Sequence, residues 1–391
     1  MEWNEYQIQD VCRLINGRAY SNDEMLEHGK YKIVRVGNLS GGNSTWFYSD
    51  LELPADKYCH NGDLLFAWAC TFGPHIWKED NTIFHYHIWK IVEDKDVVDR
   101  RFFYYYLKFA TGGFLGALNG SVMVHITKSS MEKMIIRIPK KLEDQRRIAS
   151  ILSSLDRKIE LNNKINADLE EMAQAIFKNW FVDFEPFKDG KFVDSELGMI
   201  PEGWKVGTLK DLLYLRKDSI KAANKGNLPY LPIDTIPMHC LVATDFKSND
   251  EAKSSLQTFE QNDIVVGAMR VYFHRVILAP CKGITRTTCF VLSVKNENAL
   301  AYSLMQCNQD EAISFAEKTS KGSTMPYAVW DGGYGEYKVV IPPSEVMKSF
   351  NDLLSNFFSK MNKNAIENSR LSLLRDTLLP RLMSGELEVP E

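Results

Sequence analysis

The sequence has no long hydrophobic run, no paired cysteine motif and no excess of basic residues. No apolar stretch reaches the roughly 18 residues that a membrane helix needs, so the sequence predicts no transmembrane segment. Its seven cysteines are scattered and none forms a Cys-x-x-Cys pair, which favours reduced thiols in a cytoplasmic protein. The first residues are acidic and lack the apolar core of a signal peptide.

Acidic residues are unevenly distributed along the chain. The net charge of −4 is unlike the basic excess of most nucleic-acid-binding proteins. Acidic residues are nevertheless absent from 28–49, 100–131 and 264–296, although each stretch carries Lys and Arg. This segregation predicts local positive potential on an acidic whole. The alternative interpretation is that acidic residues simply avoid strands.

Motifs for catalysis and cofactor binding are also lacking. No Gly-Lys-Ser/Thr phosphate loop occurs, and Asn227-Leu228-Pro229-Tyr230 lacks the first proline of the Asn-Pro-Pro-Tyr loop of adenine methyltransferases. His85 and His87 alternate on a predicted strand, but no Cys or acidic residue stands at metal-ligand spacing, so packed or surface histidines are favoured over a zinc site. We therefore expect no catalytic residue, no cofactor and no metal.

What the sequence does contain is an internal repeat with an offset of about 200 residues. A period this long indicates two similar domains rather than a solenoid. The repeated features are Trp3 and Trp204; Asn61-Gly62-Asp63 and Gln261-Asn262-Asp263; Gly120-Ser121-Val122-Met123 and Gly322-Ser323-Thr324-Met325; and Ile138-Pro139 and Ile341-Pro342.

Each copy combines strand and helix patterns, so the predicted fold class is mixed α/β, of the α+β kind. In the first copy we predict strands at 33–36, 63–68, 84–91 and 134–138, turns at 41–43 and 61–62, and a helix at 100–110. In the second copy we predict strands at 263–269 and 289–294 and a helix at 300–319.

A long helix with an apolar seam follows each copy. Apolar residues recur every three or four positions through 142–182 and again from Ser344 to Met383, a spacing typical of coiled coils. Since a long helix with an exposed apolar seam is not stable alone in water, the two helices are expected to pack on each other. Both apolar seams are interrupted at matching positions by a pair of asparagines. Two alternatives remain open: these asparagines are buried and set the register of the helix pair, or they face solvent. They are Asn162, Asn166, Asn364 and Asn368.

The predicted organisation therefore has five segments. They are a first globular domain (1–141), a central long helix (142–182), a linker (183–200), a second globular domain (201–343), and a C-terminal long helix with its tail (344–391).

Four motifs carry a resemblance that covers the whole chain. They are Gly120-Ser121-Val122-Met123 followed by a strand, a proline and Leu142-Glu143-Asp144-Gln145-Arg146-Arg147-Ile148-Ala149; the run from Leu155 to Asn166; Leu197-Gly198-Met199-Ile200-Pro201-Glu202-Gly203-Trp204; and the closing run from Leu378 to Leu387. With these motifs the sequence resembles the DNA-specificity subunit of type I restriction-modification systems. It departs from the family after Pro342, where the usual Glu-Gln pair is missing.

The resemblance implies a non-catalytic DNA-binding subunit with two similar target-recognition domains, separated by two long antiparallel helices in a pseudo-two-fold arrangement. It implies that each domain reads one half of a bipartite target in double-stranded DNA. It further implies partners: two copies of an adenine methyltransferase subunit on the helices, and a motor-nuclease subunit. Two rival hypotheses are a free-standing methyltransferase or nuclease, and a coiled-coil scaffold or adaptor without DNA affinity.

Loops after the repeated strands supply the candidate DNA contacts, because Arg, Asn and Gln read base edges while other polar groups hold phosphates. For any single residue, an ordinary surface role is the alternative. The candidates in the first copy are Thr71, Gly73, His75, Ser121, His125, Thr127 and Lys128. Those in the second copy are Arg270, Tyr272, His274, Arg275, Lys282, Thr285, Arg286, Lys321, Ser323 and Tyr327.

Overall fold

The computed structural model describes residues 1–39, 44–69, 72–117, 126–243 and 245–389. The chain folds as two compact units. Unit 1 comprises Met1–Arg157 and Leu373–Glu391, and unit 2 comprises Lys158–Ser372. Each unit thus combines one copy of the repeat with parts of both long helices. Among the described residues, no helix combines the length and the apolarity needed to cross a membrane.

The first copy contains mostly short strands and one substantial helix. Its strands are β1 (Trp3–Gln7), β2 (Cys12–Asn16), β3 (Tyr31–Val34), β4 (Phe47–Ser49), β5 (Tyr58–Cys59), β6 (Leu64–Ala67), β7 (Gly73–Ile76), β8 (Thr82–Phe84), β9 (Ile88–Glu93) and β10 (Ile135–Pro139). Its helices are α1 (Ile8–Val11), α2 (Val36–Leu39), α3 (Arg100–Ala117) and α4 (Lys128–Glu132).

Two sheets pack on each other in this copy, with strand orders β2-β9-β6-β7 and β4-β3-β8-β5, while β1 pairs with β10. Strand β6 is buried along its whole length. Because successive side chains point to opposite faces of a sheet, Leu64 and Phe66 join one core with Phe102 of α3, and Leu65 joins the other with Phe84. Burial on both faces explains the uninterrupted apolar run in the sequence.

The chain continues through the first long helix into the second copy and ends in the second long helix. The helices are α5 (Leu142–Phe181), α6 (Leu209–Leu212), α7 (Leu300–Cys307), α8 (Asp310–Lys318) and α9 (Ser344–Ser384). The strands are β11 (Phe192–Val193), β12 (Ile200–Pro201), β13 (Lys205–Thr208), β14 (Leu213–Leu215), β15 (Ser219–Ile220), β16 (Leu256–Phe259), β17 (Ile264–Gly267), β18 (Val276–Leu278), β19 (Gly283–Arg286), β20 (Cys289–Val294) and β21 (Lys338–Ile341).

The repeat in the sequence is a repeat in strand register. The sheet β14-β20-β17-β18 has the same order as β2-β9-β6-β7 when each strand is matched to its counterpart. Cys12 pairs with Glu93 in unit 1, and Leu213 pairs with Val294 in unit 2, so both partners shift by the same 201 positions (213 − 12 and 294 − 93). The two copies therefore share a fold and not only a set of motifs.

The turn before the central strand is also conserved between the copies. The Asp63 carboxylate accepts a 2.9 Å hydrogen bond from the amide of His60, and the Asp263 carboxylate accepts one of 2.7 Å from the amide of Glu260. An aspartate that bonds its own backbone in this way closes a turn without needing a partner strand. This explains why Asp stands at the repeated position.

The two long helices pack together through polar as well as apolar contacts. In unit 2, Asn162 donates to Oδ1 of Asn368 at 2.9 Å, and Asn364 donates to Oδ1 of Asn166 at 2.8 Å. As the residue number rises along α5 it falls along α9, so these segments are antiparallel. All four asparagines are buried.

In unit 1, an ion pair links the remaining segments of the two long helices. Arg375 of α9 donates to Asp156 of α5 at 2.9 Å, and the hydroxyl of Tyr105 donates to the same carboxylate at 2.6 Å. Leu152 and Leu382 lie in the apolar core beside them. Each unit is thus stabilised by its own portion of the helix pair.

Four sequence predictions differ from the structure, and one lies outside the described residues. The strand predicted at 33–36 ends at Val34, and Val36 begins α2. The strand predicted at 84–91 is wrong, because Ile88 donates to the carbonyl of His85 at 2.9 Å and closes a turn between β8 and β9. The helix predicted at 300–319 breaks at Asn308, since α7 is buried on nearly all sides and the acidic α8 must turn toward the surface. The helix predicted at 100–110 continues to Ala117. The turn predicted at 41–43 lies outside the described part.

Candidate nucleic-acid interface

Two candidate loops of the second copy lie side by side. Lys321 and Tyr327 exchange two backbone hydrogen bonds of 2.9 Å, which makes 321–327 a hairpin. The amide of Arg270 donates to the carbonyl of Pro326 at 2.8 Å, and Met269 bridges to Tyr327. The loop after β17 and this hairpin, far apart in sequence, therefore form one surface, which we call the 270/325 tip (Arg270, Tyr272, Lys321, Ser323, Met325, Tyr327).

The 270/325 tip presents large side chains to solvent. Tyr272 is 43% exposed, Met325 53% and Tyr327 50%. Arg270 is exposed as well, and within the described residues its guanidinium has no hydrogen-bond or ion-pair partner. Aromatic rings beside an unpaired Arg are suited to stacking and to base-edge or phosphate contacts. The backbone of Arg270 is in the left-handed region, with φ of 50°. This conformation, which directs the side chain toward solvent, carries a conformational cost.

Two candidates of the same loop point inward. His274 is buried and its Nε2 lies 3.0 Å from Oδ1 of Asn308. The guanidinium of Arg275 donates to the carbonyl of Ile233 and lies over the ring of Phe273. Both side chains therefore support the loop from inside rather than forming part of its exposed surface.

The candidates around β19 divide in the same way. Thr285 is fully buried. Lys282 lies on the surface but forms a 2.7 Å ion pair with Glu260, which reduces the charge it offers to a phosphate. Arg286 is exposed at the end of β19, and among the described residues its side chain has no hydrogen-bond or ion-pair partner. Of this group, Arg286 is the best placed for contact with DNA.

The first copy gives fewer usable candidates. Gly73 and His75 lie in β7, and burial, with help from the Lys108 charge, lowers the pKa of His75. Thr127 caps α4 by accepting a hydrogen bond from Ser130, and Lys128 pairs with Glu132 at 3.6 Å. The remaining candidates, Thr71, Ser121 and His125, lie outside the described residues.

A surface of the first copy that the sequence candidates missed is the turn 85–87, which joins β8 to β9. Tyr86 is 41% exposed there, and its carbonyl accepts a 2.9 Å hydrogen bond from the indole of Trp68. The amide of Trp68 donates to the carbonyl of His87 at 3.1 Å. Burial, followed by the charges of His87 and Arg35, lowers the pKa of His85 to about 4, so this turn carries no histidine charge at that position near neutral pH.

This turn is the counterpart of the turn that carries Arg286. In the second copy, the amide of Ala268 donates to the carbonyl of Thr288 at 2.9 Å, which matches the bond from Trp68 to His87 after a shift of about 200 residues. The turn 85–87 and the turn 286–288 therefore occupy one position in the repeated fold. The repeat itself was the signal that would have pointed from Arg286 to Tyr86.

Comparison with known proteins shows the family. Residues 1–171 match the family described as "Type I restriction modification DNA specificity domain". An alignment of 313 residues with the type I restriction enzyme MjaIX specificity subunit of Methanocaldococcus jannaschii is 30% identical, and it covers 76% of this chain and 71% of that protein. The chain belongs to the type I restriction-modification specificity subunits.

Further similarities extend over the whole specificity subunit. The type I restriction enzyme HindI specificity subunit of Haemophilus influenzae is 24% identical over 469 aligned positions, which cover 99% of this chain and all of that protein. The crystal structure of the type I restriction-modification S subunit from M. genitalium has a TM-score of 0.61 at 16% identity and covers 98% of this chain and 96% of that one. At this identity the structural match supports the fold.

The role of the family is DNA recognition, and the subunit is not an enzyme.

The departure from the family pattern after Pro342 corresponds to a difference in how the two long helices begin. In α5, Gln145 donates to the carbonyls of Pro139 and Val97 at 2.8 and 3.0 Å, and it accepts from the amide of Asp99. Helix α9 begins at Ser344 without such a glutamine; Met347 and Phe350 of its first turns lie in the apolar core of unit 2, and Asn351 accepts a 3.1 Å hydrogen bond from the amide of Ala301.

Proposed function

We propose that each copy of the repeat reads one half of a bipartite target in double-stranded DNA. The observation that carries this proposal is the shared strand register of the two copies, in which Cys12–Glu93 and Leu213–Val294 are equivalent pairs. Two equivalent folds place equivalent loops for contact, while their loop residues differ. Different side chains on one scaffold are what reading two different half-sites requires.

The proposed contact surfaces are the 270/325 tip with Arg286 in the second copy, and the turn 85–87 with Trp68 in the first. Arg270 and Arg286 supply local positive charge at this surface, on a subunit whose net charge is −4. Guanine O6 and N7 are the base atoms that an Arg side chain contacts bidentately. We assign Tyr272 and Tyr327 to apolar or sugar contacts beside these arginines.

The proposed partners are two copies of an adenine methyltransferase subunit, and a motor-nuclease subunit that completes the complex. Large apolar residues are exposed on the long helices, where an isolated helix pair gains nothing from them. Leu161 and Met172 are exposed on α5 in unit 2, and Leu373 and Leu374 on α9 in unit 1. We propose that the methyltransferase subunits cover these residues, and that DNA binding becomes tight only in that assembly.

The proposed compartment is the cytoplasm. Within the described part of the chain, six cysteines carry free thiols, and Cys12, Cys59, Cys289 and Cys307 are buried. Reduced and buried thiols are usual in cytoplasmic proteins.

A domain exchange tests the proposal. Residues 201–343 are replaced by the matching residues of a related specificity subunit, and methylated adenines are mapped genome-wide in cells that carry the partner subunits. We expect one half of the methylated motif to change and the other half to persist, with unread base pairs between them. A gapless motif, or an exchange that alters both halves, contradicts the proposal. Absence of DNA binding by the assembled complex supports the scaffold alternative instead.

A further inference from the structure

Three residues that play no part in the proposed DNA contacts converge in unit 2. One potential ligand atom from each of His239, His274 and Asp310 lies within 4.8 Å of the other two. They come from three separate segments: a loop that follows Ile236, the end of the turn after β17, and the first residue of α8. Their convergence is therefore a product of the tertiary fold.

The position of the proton on His274 follows from its neighbours. Nε2 lies 3.1 Å from the backbone carbonyl of Asn308 and 3.0 Å from the Oδ1 of the same residue. A carbonyl oxygen accepts and cannot donate, so the N–H of the imidazole is on Nε2. The lone pair of Nδ1 then faces the Asp310 carboxylate at 3.1 Å. Two lone pairs at this distance repel unless a cation lies between them.

A metal ion bound between these groups satisfies this arrangement. Imidazoles that bind metals characteristically donate their other N–H to a carbonyl, which is what His274 does. The ring of His239 lies 4.5 Å from that of His274 between centroids. Two imidazole rings this close together can share one ion.

We propose that His239, His274 and Asp310 bind one divalent transition-metal ion, with zinc as the best fit. Two imidazole nitrogens and one carboxylate oxygen are a known zinc set, and zinc is commonly held by three protein ligands with the fourth position left open. Bonds of about 2.0–2.1 Å in a tetrahedron place ligand atoms roughly 3.4 Å apart. The ligand atoms lie within 4.8 Å of one another, so the exposed side chains of His239 and Asp310 need to move by at most about 1.4 Å (4.8 − 3.4) to reach that spacing.

The open coordination position faces a cavity of about 810 Å³, whose lining includes all three ligands. The cavity lies within unit 2 and is also lined by Gln306, Asn308 and Lys338. Water from this cavity can complete the coordination. The ion is structural in this proposal, because it joins the loop at 239 and the turn at 274 to the start of α8.

The backbone conformation of the two histidines is consistent with residues held in place by bonds to an ion. His239 and His274 both have φ of 50°, in the left-handed region that residues other than glycine seldom adopt. The amide of His239 donates to the carbonyl of His274 at 2.9 Å. A shared ion would hold both strained residues where a single hydrogen bond now joins them.

The test uses the full-length chain without a histidine tag, stripped of metal by dialysis against a chelator. Zinc is titrated calorimetrically in competition with a chromophoric chelator, and thermal unfolding is followed with and without zinc. Cobalt(II) serves as a spectroscopic probe, because four-coordinate Co(II) absorbs far more strongly than the hexaaqua ion. We expect one equivalent of zinc per chain, a higher Tm with zinc, and a tetrahedral cobalt spectrum.

The variants are His239→Ala and Asp310→Asn, both at exposed positions, so the buried His274 stays intact. The matched control is His60→Ala, an exposed histidine 3.9 Å from the Asp80 carboxylate. We expect each site variant to weaken zinc binding at least 10-fold and to abolish the Tm shift, and the control to change neither. No stoichiometric binding by the wild type, or equal binding by His239→Ala, overturns the proposal. No DNA is present, so the result is independent of the proposed recognition function.

Discussion

The side-chain amide of Asn364 donates a 2.8 Å hydrogen bond to Oδ1 of Asn166, across the interface between the two long helices. Asn166 in turn donates to the backbone carbonyl of Met361 at 3.1 Å. Both residues are buried, so each amide depends on the other helix for its partners. A buried pair of this kind favours one register, because any slip leaves polar groups unsatisfied in an apolar seam.

Replacing Asn364 with Ala is expected to lower the free energy of unfolding by about 1–3 kcal/mol, since Oδ1 of Asn166 loses its donor while remaining buried. Urea unfolding of the full chain measures the change. Glu171→Ala, at an exposed position of α5, is the control and should change stability by less than about 0.5 kcal/mol. The double variant Asn166→Leu with Asn364→Leu should recover stability, because it removes both polar groups together. A double variant as unstable as the single one would contradict this account.

The repeated aspartate is expected to stabilise unit 2 through the turn before β17. Asp263 is buried, and its carboxylate accepts from Arg216 at 3.0 Å and from the amide of Glu260. Asp263→Ala should therefore lower the free energy of unfolding by about 1–3 kcal/mol. The same Arg216 also pairs with the exposed Asp218, so Asp218→Ala is a matched control with an expected loss of about 0–1 kcal/mol. Native-state hydrogen exchange should show faster exchange in β17 only for the first variant.

Arg270 is expected to contribute to one half-site and not to the other. In the complex with methyltransferase subunits, Arg270→Ala should weaken DNA binding by about 1–3 kcal/mol if the side chain contacts a base. The loss should depend only on the sequence of the half-site read by the second copy. Lys282→Ala is the comparison, because Lys282 is already paired with Glu260 and should matter less. Fluorescence anisotropy with targets altered in either half-site distinguishes these outcomes, and an Arg270 effect tied to the other half-site would refute the assignment.

His85 should make unit 1 less stable in mild acid. Its pKa falls from an ordinary value of 6.5 to about 4 in the folded state, mainly through burial. Between these values the unfolded chain binds the proton and the folded chain does not, so protonation favours unfolding. Stability is therefore lost as the pH falls from about 6.5 toward 4, and it is fully present above that window. Urea unfolding at pH 7.5 and 5.0 should show a larger loss for the wild type than for His85→Gln. Equal losses in the two chains would rule out this role, and the exposed His60→Gln should behave as the wild type does.

The sequence already contained the two-copy plan, because a repeat of about 200 residues is visible in the residues themselves. It also predicted the long helices, since apolar residues spaced by three and four favour a helix; no Gly or Pro interrupts the first helix, and Pro380 lies only near the end of the second. One of its errors comes from a contact between segments that are distant in sequence. The run 84–91 alternates like a strand, yet Gly17 lets the carbonyl of His85 approach closely and the chain turns there. A close approach between distant segments leaves no periodic pattern in either.

What the sequence determined by itself is what depends on neighbours along the chain: helix seams, capped turns and the alternation within single strands. What only the tertiary structure decided is which loops meet. Nothing in the spacing of Arg270 and Tyr327 shows that their segments share backbone bridges. Nor does any local pattern show that His274 is turned inward toward Asn308 and Asp310. Such contacts join residues tens of positions apart, so their geometry is set by how sheets and helices pack and not by local preference.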